Sequence, residues 1–237
     1  MLQEHEIEKI KEANALLLPL PLSRDGVNVS NTEGLPVSAV LDAAGKDIPI
    51  FAGMCGGFCD PRLMDYSKED VFALLNAVPT AEGALAITIS QTDITVQGMR
   101  VAITGFGKVA QAVAALFSAV GAKITVIARK KEARDDAQTL GYEALPFTAL
   151  SENAAWDTII STVPQTIITA NILRTMSKET LIIDLASAPG SVDFTAAKEN
   201  GIRAIHALAL PGKYSPKTAG NIIAQTVLAI LAERNFS

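Results

Sequence analysis

Histidine, cysteine and aromatic side chains are scarce in this sequence, and each shortage closes off a class of chemistry. There are two cysteines and two histidines among 237 residues. A zinc site draws most of its ligands from those two residue types, and Cys55 and Cys59, in GMCGGFC, have no histidine or second cysteine pair beside them. They read as two free thiols in a glycine-rich loop, and no metal is expected. Aromatic residues make up only 5% of the chain, so Ala, Val, Ile and Leu supply most of the 49% that is hydrophobic. That composition suits helices packed on a buried parallel sheet. Excess positive charge is missing too: the net charge is −5, which argues against a surface built to follow nucleic-acid phosphates. No apolar run reads as long enough to span a bilayer. The polar, charged start MLQEHEIEKIKE is unlike a secretory signal, so a cytoplasmic location is expected.

What the chain does carry is rhythm. From about residue 99, strand-like apolar runs alternate with helical stretches. The strand candidates are Met99–Thr104, Lys123–Ala128, Thr158–Val163, Leu181–Leu185 and Arg203–Ala207. The stretches 108–120, 130–140 and 193–200 read as helices, closed by Gly121, Gly141 and Gly201. Glycine suits that place because the residue after a helix commonly needs positive φ. Such alternation implies βαβ units, right-handed crossovers and a parallel sheet. The expected fold class is therefore α/β, with a Rossmann-type doubly wound parallel sheet over about 97–213. A second, N-terminal α/β domain over 1–96 is expected to be joined by a C-terminal helix over 216–237, which has Pro216 near its first turn. Within 1–96, Ala15–Leu20 and Ile48–Ala52 read as strands, 23–47 as loop, and 71–75 as ambiguous. A helix is expected over Thr80–Thr92, with Thr80 as N-cap after Pro79.

The clearest chemical signal is VAITGFGKVAQAVAALF. Gly105, Gly107 and Ala110 form a G-x-G-x-x-A turn directly after a strand and opening a helix. The first glycine permits the tight turn, the second lets backbone approach a pyrophosphate, and the small third residue lets the helix pack on the sheet. Amides at the helix N-terminus then face the phosphate charge. Gly105, Phe106, Gly107, Lys108 and Val109 are the expected phosphate-binding residues. A Rossmann-like domain that no longer binds a nucleotide, or a methyltransferase, would be the rival reading.

At the end of the next strand, NAD enzymes usually place an acid that holds the ribose hydroxyls. This chain has Arg129, followed by Lys130 and Lys131. An acid repels a 2′-phosphate, whereas an arginine fork can hold one. Arg129 and Lys130 therefore point to NADP over NAD; the alternative is an ordinary charged helix start. Two further strand ends face the same side. STVPQ offers Thr162, Val163 and Pro164 over the cofactor, and DLASAPG offers Ala186 near it and Ser187 toward the nicotinamide or substrate. Asp184 reads as a buried structural carboxylate. In LPGKYSPKTAG, Lys217 with Thr218 is the preferred anchor for a substrate carboxylate, with Lys213 more exposed. The histidines, His5 and His206, make no convincing catalytic set.

NAVPTAEGALAITISQTD, GMRVAITGFGKVAQ, ISTVPQ, LIIDLASAPGSVDF and LPGKYSPKTAG together resemble the family of dipicolinate synthase A subunits, from about Ile7 to the C-terminus. The resemblance implies NADP-dependent oxidation of a dihydrodipicolinate-type intermediate of the lysine pathway to dipicolinate in sporulating bacteria. It also implies a second, flavoprotein-like subunit, a small dicarboxylate substrate and a homo-oligomer. Two departures stand out. Family members begin with about sixty further residues, which would complete the first α/β domain, so that domain is expected to be incomplete here. The family also often has Arg where this sequence has Ala188. The alternatives are a dehydrogenase of another small carboxylic acid and a non-catalytic NADP-binding regulatory subunit.

Overall fold

The computed structural model describes residues 4–152 and 156–233. They divide into two compact units, residues 1–73 with 221–237, and residues 74–220. Residues 1–3 and 234–237, at the ends of the expected N-terminal domain and C-terminal helix, lie outside the described residues, as does the His5 side chain.

In the first unit, α1 (Glu4–Glu12) leads to β1 (Leu16–Leu17), α2 (Val37–Ala43), β2 (Ile50–Ala52) and β3 (Leu63–Asp65). The strands form a parallel sheet in the order β1-β2-β3. Leu22, Val37, Val40 and Ala52 make its core. α2 corrects the expectation of loop over 23–47. Seven residues carry almost no periodicity, and burial of Val37 and Val40 holds the helix in place. After β2, Cys55 is buried and Cys59 exposed, both as free thiols. Burial, with the Asp65 charge beside it, pushes the Cys55 thiol up to about 11. It therefore stays protonated and unreactive at neutral pH.

α3 (Asp70–Gln91) corrects two expectations. The ambiguous stretch 71–75 is helix, and Pro79 lies inside the helix rather than before it. Thr80 is no N-cap, because its Oγ1 donates to the carbonyl of Asn76 one turn back, at 2.7 Å. A proline inside a helix costs a backbone hydrogen bond. Here the buried face of Ala77, Ala81, Ala84 and Ile87 outweighs that cost. Unbroken at Pro79, α3 is 22 residues long and, by length and composition, apolar enough to cross a membrane, contrary to the sequence reading. Ala81, Ala84 and Ile87 nonetheless sit in the protein core.

The second unit continues with β4 (Arg100–Thr104), α4 (Lys108–Ala119), β5 (Lys123–Ile127), α5 (Lys131–Thr139), β6 (Glu143–Leu145) and α6 (Ala149–Glu152). Then come β7 (Thr158–Ser161), α7 (Ala170–Leu173), β8 (Leu181–Asp184), α8 (Phe194–Glu199), β9 (Arg203–His206) and α9 (Leu210–Tyr214), while α10 (Pro216–Glu233) starts in this unit and lies from residue 221 in the first. The strands are all parallel, in the order β6-β5-β4-β7-β8-β9. Numbered within the domain, that is the Rossmann order 3-2-1-4-5-6. Alternate residues of the central strands enter opposite cores. Val101, Ile103, Ile160 and Ile183 pack on one face of the sheet, while Ala102, Ile159 and Ile182 pack on the other. Both faces are covered, so the expected doubly wound sheet forms. Gly121, Gly141 and Gly201 follow their helices with φ of +89°, +85° and +70°.

The unit begins at Leu74 and ends at Gly220, wider than the 97–213 expected. The reason is packing: Ala81, Ala84 and Ile87 of α3 share one core with Met99, Val101 and Leu210. Gly83 makes that approach possible, since an added Cβ would stand 2.8 Å from the Leu210 Cβ. The stretch 210–214 is the short helix α9.

Candidate functional site

The sheet reverses its winding between β4 and β7, and ligands of open α/β sheets bind beyond the strand ends at such a switch point. The strand ends there are tied into one row. Gly105 N–H donates to the Ile127 carbonyl at 2.9 Å, and Leu185 N–H donates to the Ser161 carbonyl at 2.8 Å. Thr162 Oγ1 donates to the Thr104 carbonyl at 2.8 Å. Beneath them, the buried hydroxyls of Thr104 and Ser161 meet at 2.6 Å. The glycine turn, the STVP turn and the end of β5 are thus brought together as expected.

The two glycines of the turn differ. Gly105 holds φ of +82°, and a Cβ there would stand 3.0 Å from Thr162 Oγ1; the fold itself asks for glycine. Gly107 caps α4 with φ −78° and ψ −176°, a conformation open to any residue. A Cβ on Gly107 would meet nothing within 4 Å. Nothing in the fold requires a glycine there; a ligand lying against the backbone would. The first-turn amides of α4 have no partner within their own helix, and the helix dipole favours an anion at that end. Ala110 is fully buried under the turn and packs with Val113, Ala114 and Phe117 in the core. The side chains present therefore fit a pyrophosphate. Phe106 offers only backbone: its ring is buried edge-on to Tyr142, with centroids 6.3 Å apart. Lys108 and Val109 occupy the first turn of α4, both half-buried.

At the end of β5, Arg129 and Lys130 are exposed. No recorded hydrogen bond or ion pair among the described residues engages their side chains. The neighbouring cations are committed. Lys131 Nζ pairs with Asp135 at 2.6 Å, and Arg134 Nη1 donates to the carbonyls of Ala128 and Arg129, each at 2.8 Å. Sequence reasoning missed this role for Arg134. Sequence spacing does not say which way its side chain turns.

Along the rest of the row, Val163 is half-buried and Pro164 exposed. Asp184 is fully buried and accepts from the amides of Ala186 at 3.0 Å and Ser191 at 2.6 Å. It shapes the turn, as its expected structural role implies. Ala186 is buried, and its carbonyl meets His206 Nε2 at 3.0 Å. His206 also lies against the Phe194 ring, so it is a packed residue. Ser187 and Ala188 are exposed at the tip of that turn. Lys217 and Thr218 are exposed in the first turn of α10. No hydrogen bond or ion pair among the described residues joins them to the row of strand ends. Among the described residues, no cluster of His, Cys, Asp and Glu could hold a metal ion.

The strand order, the glycine turn and its open backbone define a nicotinamide-dinucleotide-binding domain of the dehydrogenase type. The NAD binding domain of the D-isomer specific 2-hydroxyacid dehydrogenases matches residues 82–196. The A subunit of dipicolinate synthase from Bacillus subtilis (strain 168) is 34% identical over 212 residues, covering 86% of this chain and 71% of that protein. The crystal structure of the A subunit of dipicolinate synthase from Bacillus halodurans superposes with a TM-score of 0.88 at 31% identity, over 98% of this chain and 83% of that one. The crystal structure of the corresponding Bacillus subtilis protein gives 0.84 at 32%, over 94% and 79%. This chain belongs to the family of dipicolinate synthase A subunits.

Proposed function

We propose that this chain is the dehydrogenase subunit of a cytoplasmic dipicolinate synthase, and that it uses NADP to oxidise a dihydrodipicolinate-type dicarboxylate to dipicolinate in a sporulating bacterium. It works as a homo-oligomer beside a second, flavoprotein-like subunit. The observation that carries the reading is the identity of 34% to the A subunit of dipicolinate synthase across 86% of the chain. Arg129 and Lys130, exposed at the end of β5 where an acid would mark NAD, support the phosphorylated cofactor. When bound, NADP supplies the hydride acceptor.

The chain's own residues hold and orient. Backbone from Gly105 to Val109 holds the pyrophosphate, and Arg129 forks onto the 2′-phosphate with Lys130 beside it. Thr162, Val163, Pro164 and Ala186 flank the nicotinamide and keep water from it. Ser187, Lys217 and Thr218 hold the substrate's carboxylates. Forming an aromatic pyridine ring supplies much of the driving force. The protein's main task is therefore to hold the dihydropyridine against the cofactor in one geometry, which fits a site without a dedicated histidine.

One test is NADPH absorbance at steady state with a dihydrodipicolinate substrate, with and without the second subunit. Turnover that depends on NADP is expected. NADP binding without turnover in both settings would favour a non-catalytic NADP-binding subunit, the reading to which Ala188 lends weight. Turnover only with other small carboxylic acids would point to a different dehydrogenase. The cofactor reading is tested separately by calorimetry. Arg129→Asp should weaken NADP more than NAD by ~1.5–3 kcal/mol, the scale of a hydrogen bond to a charged group. Equal losses would contradict it.

A further inference from the structure

The geometry points to Arg134 as a positioning residue that sets NADP selectivity through Arg129. The inference rests on the NADP reading above and adds a residue that never touches the cofactor. Arg134 lies on the first turns of α5, half-buried. Its guanidinium turns back to the strand end, where Nη1 donates to the carbonyls of both Ala128 and Arg129 at 2.8 Å. Ala128 is itself buried and tied from its N–H to the Leu145 carbonyl at 3.1 Å, so the clamp joins Arg129 to a fixed part of the sheet.

Two consequences follow for a phosphate at this turn. Carbonyl oxygens at a strand end present partial negative charge, which would oppose a phosphate dianion brought in by the Arg129 side chain. A guanidinium held between them offsets that charge. The clamp also fixes the peptide plane after Arg129, and with it the direction in which the Arg129 side chain leaves the backbone. A rigid planar fork does this well; a lysine, with a single flexible ammonium, does it less well. Lys131, the neighbouring cation, pairs with Asp135 at 2.6 Å instead. Lys130 occupies the N-cap position of α5, where its side chain makes no cap hydrogen bond. The basic cluster therefore divides into two cations facing solvent, Arg129 and Lys130, one paired with Asp135, Lys131, and one that organises the backbone beneath them, Arg134.

The test is calorimetric titration of the full chain with NADP and, separately, NAD, for Arg134→Met, Arg134→Lys, Arg129→Ala and the double variant Arg129→Ala with Arg134→Met. Arg134→Met should weaken NADP by about tenfold and NAD by less than about twofold. Arg134→Lys should recover part of the loss, and it keeps the test open if the Met variant fails to fold. Because Arg134 acts through Arg129, the double variant should bind NADP no more weakly than Arg129→Ala alone. Equal loss of both cofactors would make Arg134 merely structural. Additive losses would mean that it touches the phosphate itself, and no loss would remove its role; each of these overturns the inference. If Arg129→Ala lowers NADP affinity while Arg134→Met does not, the inference fails alone. If neither variant distinguishes NADP from NAD, the NADP reading fails and takes the inference with it.

Discussion

At Gly190, after β8, the backbone holds φ of +87°, and an added Cβ would stand 2.7 Å from the buried carboxylate of Asp184. At Gly107, after β4, φ is −78° and an added Cβ would meet nothing within 4 Å. Both glycines follow a strand of the same sheet at its C-terminal end. At the first, the protein fills the turn itself: Asp184 accepts from the amides of Ala186 and Ser191, and the glycine makes room for its own neighbour. At the second, the protein leaves the space open. What sets this open glycine apart is its place at the sheet's switch point, where a ligand of an open α/β sheet would approach the backbone. That contrast supports the cofactor placement proposed above.

The largest effect that would break the comparison is on stability. Gly190→Ala forces an L residue into the left-handed region and a methyl against Asp184, for a combined cost of about 3 kcal/mol. The thermal midpoint should fall by roughly 10 °C, read by circular dichroism. An unshifted midpoint would show that this turn tolerates a side chain and that the contrast is empty. Gly107→Val should do the opposite. Stability should stay within about 1 kcal/mol of the parent, while NADPH affinity drops by about a hundredfold, or ~2.7 kcal/mol, in a fluorescence titration. Lys217→Met probes the substrate side. It should lower kcat/KM for the dicarboxylate by about tenfold, near 1.4 kcal/mol, with NADP affinity unchanged. Loss of cofactor affinity instead would move Lys217 to the other half of the chemistry.

The smallest effect lies at the opposite end of the sheet. There Asp157 accepts from the Arg100 amide at 2.7 Å and pairs with its guanidinium at 2.8 Å. That hydrogen-bonded arginine holds the Asp157 carboxyl below its ordinary value. The stabilisation is therefore present at neutral pH and lost as pH falls below about 4, through the lowered folded value. Asp157→Asn should cost under about 1 kcal/mol at pH 7, because the pair is partly solvated, and close to nothing at pH 3. Urea midpoints at the two pH values measure this, and cofactor binding should not change.

The second unit was legible because its strands are continuous apolar runs and its helices end in glycine. Gly121, Gly141 and Gly201 each take positive φ, and the spacing of Gly105, Gly107 and Ala110 stood out against that background. Where local rules competed with burial, burial won. Thr80, following Pro79, looked like a helix start, yet the burial of Ala77 and Ala81 carries α3 through it. β6, with three residues, and α2, with seven, are too short to show a period. Within the site, the basic cluster after β5 was visible as composition, but its division of labour was not. Whether Arg134 faces solvent or turns back to the carbonyls of Ala128 and Arg129 depends on the angle between strand and helix, which sequence spacing does not contain. The open space over Gly107 is likewise a property of what surrounds it.

Hydrogen–deuterium exchange of the parent protein, with and without saturating NADP or NAD, tests the central claim most directly. If the turn after β4 holds the pyrophosphate and Arg129 reads the 2′-phosphate, both cofactors should slow exchange of the amides over residues 105–111. Only NADP should also slow those over 128–132. Unchanged exchange over 105–111 with either cofactor bound would contradict the account, whatever else in the chain became protected.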